Sequence, residues 1–350
     1  MAQRHPDSPL APTAPGAHLP SADRTGGEVL AAYLGAHAGE FLRALRLGEE
    51  DEASAVQLMR GSARRISAAL HTYEPLVEAV WAERLRGELG WLNATLSREQ
   101  QCAVHLARLR SALARLTSDE GGGQARSTMA VGAARAGALL ERQLTLVRTR
   151  AHSSTLQAFG SSRFHAVADS VALLVSELPL TTAAAAPAPR VLTPLAEAAH
   201  RRLVEAAQAL PLAVAARPYN GYALRTVLAE SPADAGADEA QDAPWHRTRA
   251  LVRLSRYALE VLDGAAPPPA GSPNAARLHG AARALDRHRE AADAAAAVAG
   301  AARTPRITPA TAYALGVLHT DQRSEVEAAR YAFSHMWQGM VPAPAPATAP

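Results

Sequence analysis

Three observations predict an all-α protein of two pseudo-repeated helical bundles with a shared basic groove. Much of the 48% hydrophobic content is alanine and only 4% of residues are aromatic, a composition that suits close-packed helices and denies β-sheets the residues they favour. Alternating apolar runs bounded by turns, the mark of strands, are missing. One polar pattern also occurs twice, as Gln57-x-x-Arg60-x-x-x-Arg64 and as His246-x-x-Arg249-x-x-x-Arg253.

In chain order, residues 1–26 are rich in proline and lack an apolar segment, so they read as a disordered arm rather than a secretory signal or anchor. Apolar positions at helical spacing then predict helices over 28–46, 51–73, 75–96, 98–116, 128–156 and 161–178, a first bundle spanning 27–178. Residues 179–194, with the run Thr-Thr-Ala-Ala-Ala-Ala-Pro-Ala-Pro, form the clearest break and read as a linker. A second bundle over 195–338 holds helices at 193–209, 219–229, 244–263, 273–299 and 308–337. Residues 339–350 alternate proline with alanine and read as a disordered tail.

Helix 51–73 shows how packing and site share one rod. Val56, Met59, Ala63, Ile66, Leu70 and Tyr73 make an apolar stripe, and Gln57, Arg60 and Arg64 run beside it, about 100° round the helix. Cations three and four residues apart repel one another. A chain that arranges them so in two places has an anion to put between them.

All 36 Lys+Arg residues are arginine; the chain has no lysine. That excludes a Walker phosphate loop, a kinase-type ATP site and a pyridoxal Schiff base, each of which needs lysine. It leaves the side chain best shaped to grip phosphate with two parallel donors. The net charge is only +3, so the argument rests on where arginines cluster rather than on their excess. A lone Cys102 offers no disulfide and fits a reducing cytoplasm. No window approaches the roughly 20 apolar residues of a membrane helix. The 13 histidines are scattered, which argues against a metal centre, and no nucleophile motif accompanies any carboxylate pair. We expect no cofactor, no metal and no catalytic residue.

The halves echo each other again downstream, where Leu96-Ser97-Arg98-Glu99-Gln100-Gln101 follows the first arginine pattern and Leu285-Asp286-Arg287-His288-Arg289-Glu290 the second. These residues resemble the CHAD family of α-helical, polyphosphate-binding domains. The family's first signature, His-x-x-Arg-x-x-x-Arg-Arg-x-Arg, is matched by Gln57-x-x-Arg60-x-x-x-Arg64-Arg65-x-Ser67. Its second, ending in Arg-Tyr, is matched by His246-x-x-Arg249-x-x-x-Arg253-Leu254-x-Arg256-Tyr257. The chain departs from the family at Gln57, where a histidine stands, at Ser67 and Leu254, where cations stand, and at Glu99-Gln100-Gln101, which replaces Val-Arg-Asp. No Glu-x-Glu-x-Lys strand of the triphosphate tunnel enzymes is found, so the resemblance is to a divergent, stand-alone member.

The resemblance implies binding of inorganic polyphosphate or another polyanion, with association with or sensing of polyphosphate granules in the cytoplasm. The expected ligands of the polymer are Arg60, Arg64, Arg65, His246, Arg249, Arg253 and Arg256, with Gln57, Arg142, Arg163, Tyr257 and His288 at the periphery. His246 is expected to gain charge near its ordinary pKa of about 6.5 and so tighten binding as pH falls. Two other readings use the same groove. A nucleic-acid binder would need more aromatic stacking platforms than the chain carries. A polyphosphate-processing phosphohydrolase would need a carboxylate cluster for Mg²⁺, which the sequence does not supply.

Overall fold

The computed structural model describes residues 24–47, 51–118, 124–217, 237–265 and 273–338. Among them it is all-α. The helices are α1 (Gly26–Leu47), α2 (Glu52–Thr72), α3 (Ala79–Ser118), α4 (Gln124–Phe159), α5 (Ser162–Ser176), α6 (Ala188–Gln208), the short α7 (Leu212–Ala215), α8 (Ala237–Ala265), α9 (Pro273–Ala302) and α10 (Pro309–Gln338). The only sheet-like pairings among the described residues are two isolated bridges, Thr25 with Pro187 and Val77 with Leu180. Residues 1–23 of the expected arm, the expected helix 219–229 and the expected tail 339–350 lie outside the described residues.

Local chemistry explains most boundaries. Asp51 caps α2 by accepting from the Ser54 amide, and Ser161 caps α5 by accepting from the Phe164 amide, each satisfying a donor the first turn leaves over. Pro75 holds a 3₁₀ turn, Glu74–Leu76, which delays α3 until Ala79. The two helices expected at 75–96 and 98–116 are one rod, because nothing between Leu92 and Ser118 breaks a helix. At 1.5 Å per residue its 40 residues reach about 60 Å.

That length decides how the halves meet. One core gathers Leu30, Leu34 and Phe41 of α1, Met59, Ile66 and Leu70 of α2, Leu85, Leu89 and Leu92 of α3, Val171 of α5 and Leu192 of α6. Farther along, Leu109 and Leu113 of α3 and Leu140 of α4 pack with Val298 of α9 and Leu315 and Leu318 of α10. A third cluster joins Leu203 of α6, Trp245 and Val252 of α8, Leu285 of α9 and Phe333 and Trp337 of α10. The α3–α4 hairpin therefore contributes to cores on both sides of the stretch 179–194.

That stretch is itself structured: Ala184, Ala188 and Leu192 join the first core, and α6 begins before Pro194, which sits inside it. Residues 24–26, expected in the arm, are pinned there as well, Gly26 donating to Ala186 and Ala188 to Arg24, both at 2.9 Å. Helices α4 and α10 approach so closely that a Cβ on Gly132 would lie within 3 Å of the Ala310 carbonyl, and only glycine leaves room for it.

Candidate functional site

Helix α2 is held against α8 by ties at its far end. The Tyr73 hydroxyl donates to the Ala258 carbonyl at 2.9 Å, Arg65 donates to Glu260 at 2.9 Å, and Tyr33 of α1 donates to the same carboxylate at 3.1 Å. With Arg65 turned to that clamp, the stripe beside it faces Arg249 and Arg253 of α8. Gln57, Arg60, Arg64, Arg249 and Arg253 line one cavity of about 680 Å³. Helix α3 adds Asn93, Ser97, Gln101 and His105, and α9 adds Arg289, Glu290 and Asp293.

The arginines in this cavity are of two kinds. Arg249 donates to Asp286 at 2.5 Å and Arg289 to Asp293 at 2.7 Å, so each is oriented by an acid of α9. Arg60, Arg64 and Arg253 hydrogen-bond to no carboxylate among the described residues, and the Nε atoms of Arg60 and Arg64 are buried without an acceptor. Burial, then the neighbouring Arg249 and Arg64, push the Arg253 pKa down to about 10. Burial and then Arg64 lower that of Arg60. Both remain cations at neutral pH. A partly buried charge with no hydrogen-bonded carboxylate is costly, and three such arginines share this cavity.

A smaller chamber of about 320 Å³ opens off this cavity past Arg64, Asn93 and Arg253, and carries His71, Arg86 and Tyr257 but no carboxylate. Burial, then Arg86 and Arg202, lower the His71 pKa, so positive potential continues into it.

The remaining expected residues lie elsewhere. Arg65 stacks over Tyr257 with its guanidinium carbon 5.3 Å from the ring centre, and Arg256 lies 5.9 Å from the same ring; neither lines the cavity. Tyr257 borders only the smaller chamber. Arg163 grips Glu88 with two donors, at 2.6 and 3.2 Å, and covers Trp91. Arg142 is exposed on α4.

His246 is behind Arg289, which approaches its Nδ1 at 3.4 Å, and its Nε2 is buried without a partner. Burial, then Arg289 and His288, push its pKa down to about 4. In the unliganded chain it is therefore neutral between pH 8 and 6, contrary to the expectation that it charges there. His288, expected at the periphery, is 1% exposed and belongs to a buried cluster with Asp242, Arg323 and Arg330.

Sequence reasoning missed the α3 wall and Arg289. Asn93, Ser97, Gln101 and His105 recur at four-residue spacing on one helix face, a signal that was readable but consists mostly of neutral residues. Arg289 sat in the second echo and passed unselected beside His288.

The geometry defines a class: an all-helical protein built round an arginine-lined cavity to which both halves of the chain contribute. The CHAD domain family matches residues 32–299, and the chain belongs to that family. Among solved structures, it is 52% identical to PptA from Streptomyces chartreusis, with a TM-score of 0.75 over 90% of this chain and 100% of that one. It also shares the fold of the CHAD domain from the plant Ricinus communis, at 21% identity and a TM-score of 0.56 over 92% of this chain and 96% of that one. Comparison with curated proteins gives no match.

Proposed function

We propose that the cavity binds inorganic polyphosphate, and that the protein uses it to associate with or sense polyphosphate granules in the cytoplasm. The observation that carries this reading is the trio Arg60, Arg64 and Arg253, drawn from two facing helices, none of which hydrogen-bonds to a carboxylate among the described residues. A flexible polymer with about one charge per phosphate supplies the missing acceptors, each guanidinium fork taking two oxygens. Arg249 and Arg289, already aimed by Asp286 and Asp293, extend the track. Arg65 acts in this reading as one of the ties between α2 and α8, beside Tyr73 on the Ala258 carbonyl, and His246 as a neutral support behind Arg289.

The reading is of a binding protein rather than an enzyme. For a nucleic acid, the residues that line the cavity include no Phe, Tyr or Trp on which bases could stack. The test is binding of long-chain polyphosphate across a salt titration, with single-stranded RNA as competitor and phosphate release in Mg²⁺ followed in parallel. Five lining arginines predict a slope of log K against log salt of about −3.5, at roughly 0.7 per contact. A slope near zero would overturn the proposal, preferential displacement by RNA would favour the nucleic-acid reading, and sustained phosphate release would make the protein a hydrolase.

A further inference from the structure

One end of the arginine groove does not continue as a cationic track. Gln57 and Gln100 form its border, and beyond them lies a separate chamber of about 430 Å³ between α2, α3 and α4. Its character is different. Ala53, Val56, Leu96 and Ala103 give it an apolar wall, and its polar side includes Glu52, Glu99, Arg148 and His152. Glu99 takes His152 Nδ1 at 3.1 Å on one oxygen and Arg148 at 3.6 Å on the other. Thr155, one helical turn beyond His152, also lines the chamber. It is 3% exposed, and its hydroxyl has no hydrogen-bond partner. Within a helix a threonine hydroxyl ordinarily donates to the carbonyl four residues back, and a buried hydroxyl left unpaired is unfavourable.

Of the residues at which this chain departs from the family's signature in its first half, all but Ser67, which lines the smaller chamber, fall at this border. Gln57, Gln100 and Gln101 line the groove here, and Glu99 lines the chamber. Neutral amides can donate to a single phosphate oxygen but carry no charge to draw a polyanion onward, and a carboxylate repels one. They suit an uncharged or cationic group covalently attached to one.

We propose that this chamber binds the organic part of a phosphorylated small molecule, an alkyl body ending in an amine, whose phosphates lie in the arginine groove. The alkyl carbons cover Val56 and Leu96. The ammonium donates to Glu99 and to the unpartnered Thr155 hydroxyl. Gln57 and Gln100, at the threshold, donate to the bridging ester oxygen and the first phosphate. This inference rests on the anion-groove reading for the phosphate half of the ligand and on the side chamber alone for the organic half.

The test compares three probes by calorimetry at fixed salt: inorganic triphosphate, n-hexyl triphosphate and 6-aminohexyl triphosphate. A fourth, 6-aminohexanol, is followed by ligand-observed NMR. A basic protein without this chamber disfavours the amine. We expect 6-aminohexyl triphosphate to bind about tenfold tighter than n-hexyl triphosphate, as one charge-assisted hydrogen bond allows, and 6-aminohexanol to bind weakly on its own. Thr155→Val and Glu99→Gln should each remove most of the amine's advantage while leaving inorganic triphosphate affinity unchanged. Val56→Trp, which fills the chamber, should abolish 6-aminohexanol binding. The proposal is overturned if the amine confers no advantage, or if the advantage survives both Thr155→Val and Glu99→Gln. Failure of inorganic triphosphate to bind, with 6-aminohexanol still bound and displaced by Val56→Trp, would remove the groove reading and keep the chamber.

Discussion

Two groups of arginines, close in the fold, differ in a single respect. Arg323 and Arg330 of α10 converge on Asp242 of α8, at 2.7 and 2.5 Å, and His288 approaches the same carboxylate at 3.3 Å. Asp242 is 3% exposed, and its neighbours hold its carboxyl well below the usual range despite the opposing effect of burial. Trp245 stacks on His288 and lies under Arg330. There the chain supplies the anion itself, and the result is a joint between α8, α9 and α10. Among the described residues no carboxylate hydrogen-bonds to Arg60, Arg64 or Arg253, although Glu290 and Asp293 line the same cavity. The same side chain thus forms a joint where a buried carboxylate gathers two of them, and lines an open cavity where no carboxylate does so.

The largest effect should come from breaking the joint. Asp242→Ala removes the carboxylate that two largely buried guanidinium groups share, and we expect a loss of about 3–5 kcal/mol in denaturant unfolding. A change below about 1 kcal/mol would mean the cluster is solvated and the contrast with the groove is false.

Removing cations from the groove should do the reverse. In Arg60→Ala with Arg253→Ala, polyphosphate affinity should fall at least tenfold and the salt slope should flatten by about 1.4, two contacts at roughly 0.7 each. Stability should hold within about 1 kcal/mol or rise, because unpaired buried charges are relieved. A double variant that unfolds while binding is unchanged would show these arginines to be structural.

A pH series sharpens the comparison from the histidine side. His246 and His288 have lowered pKa values because burial disfavours the charged ring. The native state then binds fewer protons than the unfolded one, so their contribution to stability is complete above about 6.5 and is lost as pH falls below it, in the case of His246 down toward about 4. The thermal midpoint of the unliganded protein should drop on the order of 5 °C across that window, and His246→Gln should lessen the drop. A midpoint that rises on acidification would contradict the burial argument. From pH 8 to 6 polyphosphate affinity should be nearly flat, whereas Gln57→His, which adds a titrating group at the groove's border, should make it rise as pH falls.

The smallest effect is expected at Arg65→Ala. Its guanidinium is committed to Glu260 and the Tyr257 ring, and a half-exposed pair of this kind contributes about 1 kcal/mol or less. Polyphosphate affinity should change less than twofold. A loss matching that of the Arg60 and Arg253 variant would place Arg65 in the groove after all.

How far the sequence carried depends on which residues are asked. Helical spacing alone placed Arg60 and Arg64 on one face of α2 and Arg249 and Arg253 on one face of α8, and both faces line one cavity. Arg256 follows Arg253 at the three-residue step of the stripe, yet it lies over the Tyr257 ring. Arg65 is adjacent to its stripe, but a step of one residue turns a side chain about 100°, and there Glu260 was waiting. That partner lies on another helix, so no local pattern could reveal it. His246 follows the three-residue rule from Arg249, but burial beside Arg289 and His288 decides its charge. The fusion of two expected helices into α3 was visible as the lack of any breaker. The sharing of cores across 179–194 was not, since it depends on how far a 40-residue rod reaches.

A groove whose cations are all arginine has a consequence for regulation. Acetylation, the common covalent way to erase a positive side chain, acts on lysine, and this chain has none. Methylation of arginine keeps the charge and blocks the paired donors, so it could loosen the grip on a phosphate without neutralising the site. Nor does acidity within the physiological range discharge a guanidinium. Release of a bound polyanion is therefore left to agents outside the protein: competing anions, rising ionic strength, or an enzyme that shortens the polymer.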